Sequence, residues 1–285
     1  MFRFPIGVIL ESFRLERSAA ISAAAELGAA GIQMYATMGE NAPENLTAGD
    51  RRALRREVED AGLVFSALCG DLGQGFGDAE KNSLLIEKSK RILDLANDLG
   101  TNIITTHIGV VPEDPEHPRY QIMQEACFKL ADYAKSHGSH FAVETGPEPA
   151  GRLRAFLDSL GSDGVAVNLD PANLRMVIGE DPVESVRLLA PYIVHTHAKD
   201  GVKLKESNPE YVYRVVHPIP EECRNQRYFE EVPLGMGAVP FPAYLKELEA
   251  IGYRGFLTIE REVGDNPIAD IRTAFDYLKK VMADN

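Results

Sequence analysis

Cysteine is scarce: Cys69, Cys127 and Cys223 are widely spaced and odd in number. That argues against a disulfide framework and fits three packed thiols in a reducing compartment. Basic residues are also short, 30 Lys and Arg against 43 Asp and Glu, for a net charge of −13. A surface built for a nucleic-acid backbone needs clustered Lys and Arg, so nucleic acid is not an expected partner. No apolar run approaches membrane-spanning length. The opening MFRFPIGVIL carries too short an apolar stretch, and no small-residue cleavage pattern, to read as a signal segment. The expectation is a cytoplasmic protein that engages neither membrane nor nucleic acid. A glycine-rich phosphate turn is missing too. The stretch Ile9-Leu-Glu-Ser-Phe13 after the first strand candidate has no glycine, which counts against a doubly wound open sheet.

What is present is a repeated phrase. With 45% hydrophobic residues over 285 positions the chain can bury a large core. Strand-like apolar runs at 6–10, 31–35, 63–68, 102–107, 141–144, 165–170, 193–197 and 256–260 alternate with helical patterns at 15–27, 48–61, 83–99, 120–137, 152–160, 183–189, 241–251 and 268–282. Several helices run into a glycine just before the next strand, as at Gly28, Gly62, Gly100 and Gly138. Eight such units at a period of about 35 residues predict one α/β domain over residues 1–285, a (β/α)8 TIM barrel. The even spacing breaks once. Residues 201–239, between the seventh strand and its helix, form a long polar segment of the kind used for lids, interface arms or disordered loops.

Four strands close on a metal-type ligand. HFAVETGP ends on Glu144, VAVNLDPAN on Asp170, IVHTHAKD carries His197 and GFLTIERE carries Glu260. In the first three, the strand period places the ligand on the same face as the residue two positions earlier, Ala142, Asn168 and His195. In a barrel the four ligands would be the uppermost inward side chains of strands five to eight. Each residue alone reads equally well as a strand-end cap in a salt bridge; four at equivalent positions predict a site. Three carboxylates and one imidazole form a mostly hard ligand set. It suits one Mn2+, Mg2+ or Co2+ better than a structural zinc.

Other polar residues carry weaker signals. His107 closes strand four and is either a substrate contact or a hydrogen-bonded core residue. His195, one layer deeper than His197, reads as a supporting or packing residue. Lys199 lies just past His197 and suits an anionic or hydroxyl group, while Asp200 reads equally well as a turn residue. Glu11 could reach the rim, and Arg224, Arg227 and Glu231 could fold over the mouth, although solvated charges are the simpler reading. Gly235 and Gly237 are most simply a turn.

The segments ETGP, NLDPAN, HTHAKD, TTHIG and PLGMGAVPFPAYLKELEAIGYRGFLTIERE resemble the sugar-phosphate isomerase/epimerase group of xylose isomerase-like barrels, which includes the ketose 3-epimerases and a class of DNA-repair endonucleases. The resemblance implies a single divalent metal, Mn2+ above all, held by Glu144, Asp170, His197 and Glu260, with Glu144 and Glu260 as the acid/base pair. It also implies a substrate contact three residues after the metal aspartate, where the epimerases commonly have histidine and this chain has Asn173. The endonucleases carry an Asp-x-His pair before their Gly-x-Gly loop, whereas Phe229-Glu230-Glu231 precedes Gly235-Met236-Gly237 here.

The implied activity is metal-dependent epimerisation or isomerisation of a ketose or keto-sugar, phosphorylated or not, through an enediolate. His107, Asn173 and Lys199 are the expected substrate contacts. A lyase or dehydratase acting on a keto-sugar, keto-glycoside or keto-inositol uses the same intermediate, and a non-catalytic sugar-binding barrel is a third reading. The expected partner is a small-molecule sugar; self-association stays open.

Overall fold

The computed structural model describes residues 2–216 and 218–284. Eight parallel strands close into a barrel: β1 (Ile6–Ile9), β2 (Gly31–Tyr35), β3 (Val64–Cys69), β4 (Ile103–Thr106), β5 (His140–Glu144), β6 (Val165–Leu169), β7 (Ile193–Ala198) and, after the two strands of a ribbon, β10 (Leu257–Ile259). The hydrogen-bonded order is β1-β10-β7-β6-β5-β4-β3-β2, returning to β1. The fold is thus the (β/α)8 barrel that the eightfold repeat predicts.

Local chemistry sets the boundaries. The helix Ala48–Asp60 opens on a capping box, with the Thr47 hydroxyl accepting from the Asp50 N–H while the Asp50 carboxylate accepts from the Thr47 N–H. The helices Arg17–Leu27 and Ala79–Leu99 stop at Gly28 and Gly100, whose φ values of 82° and 89° are open to glycine at little cost. Between strands and helices Phe13, Phe141, Phe156, Phe241, Tyr244 and Phe275 are fully buried. Each contributes about 1.5–3 kcal/mol through the area it removes from water.

Two register slips lie inside the barrel wall: Ser66 on β3 is the extra residue between the partners of Ile32 and Gln33, and Val194 on β7 the extra residue between the partners of Val167 and Asn168. Such irregularities re-aim the side chain that follows. Gln33 and Asn168 are both buried polar residues that turn into the barrel.

The long polar segment after β7 has a structure that its composition does not announce. Asp200–Lys203 (β8) pairs antiparallel with Phe229–Val232 (β9), Asp200 opposite Val232 and Lys203 opposite Phe229. A short helix, Pro209–Val212, lies between them. Among the described residues no helix is long and apolar enough to cross a membrane.

Candidate metal centre

Asp170 shows how the strand-to-loop chemistry builds the site. It follows β6, and Pro171 opens a short helical turn, Pro171–Asn173. One carboxylate oxygen, Oδ1, accepts the Asn173 N–H at 2.8 Å and caps that turn. The Thr145 hydroxyl holds the backbone, accepting the Asp170 N–H at 2.8 Å and donating to the Asp170 carbonyl at 3.1 Å. The second oxygen, Oδ2, is left facing the barrel axis without a hydrogen bond.

Glu144, Asp170, His197 and Glu260 each offer one ligand atom, and these atoms all lie within 4.8 Å of one another. His197 Nδ1 stands 3.1 Å from Glu260 Oε2, 3.5 Å from Asp170 Oδ2 and 3.7 Å from Glu144 Oε1. Asp170 Oδ2 and His197 Nδ1 are buried with no hydrogen-bond partner, and Glu260 Oε2, also without one, has the Lys199 ammonium beside it at 3.1 Å. Buried polar atoms without partners are costly. A divalent cation could satisfy all three together, and the ligand set fits one.

The second layer fixes the imidazole. Gln33 Nε2 donates to Thr105 Oγ1 at 3.1 Å, so Gln33 Oε1 is turned towards His197 Nε2, 3.2 Å away. With Nδ1 serving as a ligand, Nε2 would carry the N–H and donate to that oxygen; Asn168 Nδ2 stands 3.2 Å from the same Nε2. Asn168 Nδ2 donates to Glu144 Oε2 at 3.1 Å, and its Oδ1 meets His195 Nδ1 at 2.9 Å. His195 Nε2 is 2.9 Å from Thr258 Oγ1. This buried chain places His195 behind His197 in the supporting role its depth suggests.

The two glutamates sit in contrasting surroundings. Burial pushes the Glu144 carboxyl up to about 7 against the pull of His107 and His197. Burial acts on Glu260 too, but Lys199 and His197 outweigh it and hold that carboxyl below its usual range. Burial disfavours a charged His197, and the Glu260 and Glu144 carboxylates more than reverse it.

Above this cluster opens a cavity of about 530 Å3. His107, Asn173 and Lys199 line it with three of the four ligand residues, while Asp170 lies one step deeper. Asn173 Nδ2 donates to Glu144 Oε1 at 3.1 Å. Lys199 Nζ is 3.1 Å from Glu260 Oε2 and 2.7 Å from Glu262 Oε2. His107 Nδ1 pairs with Asp71 Oδ2 at 3.0 Å, and its buried Nε2, 3.7 Å from Glu144 Oε1, has no hydrogen-bond partner. Burial opposes a charged His107, but Glu144 and Asp71 raise it to about 9.

Elsewhere the outcomes are mixed. Arg227 and Glu231 reach the cavity wall, but Arg224 donates to the Ile219 carbonyl outside it. Glu11 is not at the cavity; its Oε1 accepts the Tyr35 N–H at 3.0 Å. Asp200 is no simple turn residue: it accepts N–H bonds from Gly201, Gly235, Gly237 and Val239 and pins the glycine turn to β8. Sequence reasoning missed Gln33, Asp71 and Glu262. Gln33 carried a signal, being the one polar residue inside GIQMY.

Comparison with known proteins gives a consistent picture. A family model described as xylose isomerase-like TIM barrel matches residues 21–281. A curated relative from Haemophilus influenzae, named putative L-ribulose-5-phosphate 3-epimerase, is 24% identical over 84% of this chain and 81% of its own. Among solved structures, a xylose isomerase domain protein from Planctomyces limnophilus superposes with a TM-score of 0.80 at 27% identity, covering 99% of both chains. The probable 3-DHS dehydratase from Bacillus anthracis has the same fold, with a TM-score of 0.72 at 20% identity over 97% of this chain and 99% of its own.

Proposed function

The chain belongs to the xylose isomerase-like TIM barrel family, and on that premise we propose that it is a divalent-metal-dependent epimerase or isomerase of a ketose or keto-sugar. The observation that carries the reading is the convergence of Asp170 Oδ2, His197 Nδ1 and Glu260 Oε2, all buried and without hydrogen bonds, beside Glu144. Mn2+ is the expected ion, with Mg2+ and Co2+ as alternatives, because the donors are mostly hard oxygens. When bound, such an ion polarises a substrate carbonyl and offsets the negative charge that develops on its oxygen.

The protein's own groups would supply the proton transfer. Glu144 or Glu260 removes a proton from the carbon beside the carbonyl, and the other returns one. Return to the opposite face of the same carbon is epimerisation; return to the neighbouring carbon is isomerisation. Asn168 and Asn173 donate to the two oxygens of Glu144 and fix its orientation. Lys199 keeps Glu260 ionised. His107, held by Asp71, presents Nε2 to the cavity as a substrate hydroxyl contact, and Asn173 and Lys199 border the same space. The name of the Haemophilus influenzae relative supports epimerisation over isomerisation.

The test is incubation of a ketose and keto-sugar panel with the Mn2+-loaded protein in D2O. One carbon-bound deuterium with inverted configuration is expected. Absence of carbon-bound deuterium from every member would reject the reading, and loss of water from the substrate would replace it with elimination.

A further inference from the structure

The ionisable groups of the cavity wall, beyond the four clustered residues, set the charge of what can enter. Asp71, Glu230, Glu231 and Glu262 face it as acids, and Lys199, Arg227 and His107 as cationic groups. Among the described residues lining the cavity, each of these cations already has a carboxylate partner. Lys199, 4% exposed, is bound to Glu260 and Glu262; Arg227 lies 2.6 Å from Glu230; His107 lies 3.0 Å from Asp71. Glu231 is tied from behind by Arg261 at 2.7 Å. Pulling Lys199 towards a substrate anion would strip a counter-charge from two carboxylates, one of them buried. The three carboxylates of the cluster exceed the charge of a dication by one as well.

A second observation is independent of those side chains. In barrels of this class a phosphate is commonly held by backbone N–H groups in the loops after the seventh and eighth strands. Here the N–H groups of Gly201, Gly235, Gly237 and Val239 already point at an anion, the Asp200 carboxylate, at 2.9 to 3.1 Å. Asp200 is 1% exposed. The packing is close: a Cβ on Gly237 would meet Asp200 Oδ1 at 2.2 Å. These N–H groups are therefore taken up by the protein itself, and none of the five residues lines the cavity, so they offer a phosphate ester no donor there.

We infer that the cavity selects an uncharged sugar and rejects the phosphate ester of the same sugar, an inference that rests on the cavity being the substrate site proposed above. A phosphate monoester carries about −1.5 to −2 charge at pH 7. It would face carboxylates whose buried or half-buried cations, Lys199 and His107, are committed to other acids, with only the exposed Arg227 loosely held, and like charges brought together at close range are strongly disfavoured. The phosphate in the name of the Haemophilus influenzae relative does not carry over to this chain.

Paired titrations test this. Free ketopentoses and ketohexoses and their terminal phosphate esters are titrated into the Mn2+-loaded protein by calorimetry, and the same pairs are followed for deuterium uptake in D2O. The free sugar is expected to bind at least about tenfold more tightly than its ester, and the ester's disadvantage to shrink at high salt, where charge repulsion is screened. In the double variant Glu230→Gln/Glu262→Gln, which frees Arg227, removes one of the two carboxylates that hold Lys199 and lowers the negative charge of the wall by two, the ratio of ester to free-sugar affinity should rise about tenfold. An ester that binds the unaltered protein as tightly as its free sugar, or more tightly, overturns the inference. If no pair takes up deuterium, the epimerase reading fails while the binding ratio still judges the charge selection.

Discussion

In the half of the barrel mouth formed by β5, β6, β7 and β10, the strand ends deliver Glu144, Asp170, His197 and Glu260 to one point, and three of their atoms face it without hydrogen bonds. In the half formed by β1 to β4, polar side chains each hold one hydrogen-bond partner, and only single atoms of them, Glu11 Oε2 and His107 Nε2, stay without one. Gln33 binds Thr105, Glu11 accepts the Tyr35 N–H, and Asp71 holds His107. The same strand-to-loop unit therefore serves two purposes. Where acids converge unpaired, the rim fits a cation; where they are paired, it orients a neighbour. Replacements in the first half should disturb metal and proton transfer, and replacements in the second should spare the metal, except at Gln33, which orients His197.

The largest effect is expected from Glu144→Gln and Glu260→Gln. Glutamine keeps an oxygen donor and similar volume but cannot take a proton at neutral pH. At saturating Mn2+, solvent-deuterium incorporation should fall by about 10²- to 10⁴-fold, the usual contribution of a placed acid or base. Near-normal exchange in both variants would leave the two glutamates as ligands only.

A smaller effect sharpens the contrast between the halves. Asp71→Asn removes the negative partner that holds His107, and the loss of one charge-assisted hydrogen bond should lower kcat/KM about tenfold. Mn2+ affinity, measured by calorimetry, should stay within a few-fold. A large loss of metal binding would erase the distinction drawn between the halves.

The smallest effect concerns a buried acid near the cluster but outside it. Glu148 accepts the Val111 N–H at 2.9 Å, and burial pushes its carboxyl up to about 7. A folded-state value raised above the unfolded one stabilises the fold below the unfolded value near 4.5, and that contribution is lost as pH rises through about 7. The loss amounts to about 3 kcal/mol between pH 5 and pH 8. Glu148→Gln should match the unaltered protein in Tm at pH 5 and exceed it by several degrees at pH 8. Equal Tm values at both pH values would remove Glu148 as a pH-dependent group.

Much of this site is visible in the sequence because its chemistry is local. In NLDPAN the proline ends the strand, so the preceding acid must lie at a strand mouth. In HTHAKD and FLTIERE the strand period alone orients His197 and Glu260. The supporting partners are different in kind. Strand alternation turns Asn168 to the same face as Asp170, but which groups Gln33 and Asn168 meet depends on the register with the neighbouring strands, and nothing in the sequence marks the slips at Ser66 on β3 and Val194 on β7. The ribbon of Asp200–Lys203 and Phe229–Val232 escapes for a related reason. Its strands lie far apart in sequence, and the half-exposed FEEV offers no apolar alternation to read. Asp200 looks like a turn residue until the chain returns with the N–H groups of Gly235, Gly237 and Val239.

The central claim is that the four strand ends form one metal site, and crystals soaked in Mn2+ test it most directly. An anomalous-scattering map should show a single strong peak within ligand distance of Glu144, Asp170, His197 and Glu260. A map with no peak among them, or with Mn2+ held elsewhere while these side chains keep their places, would contradict the account.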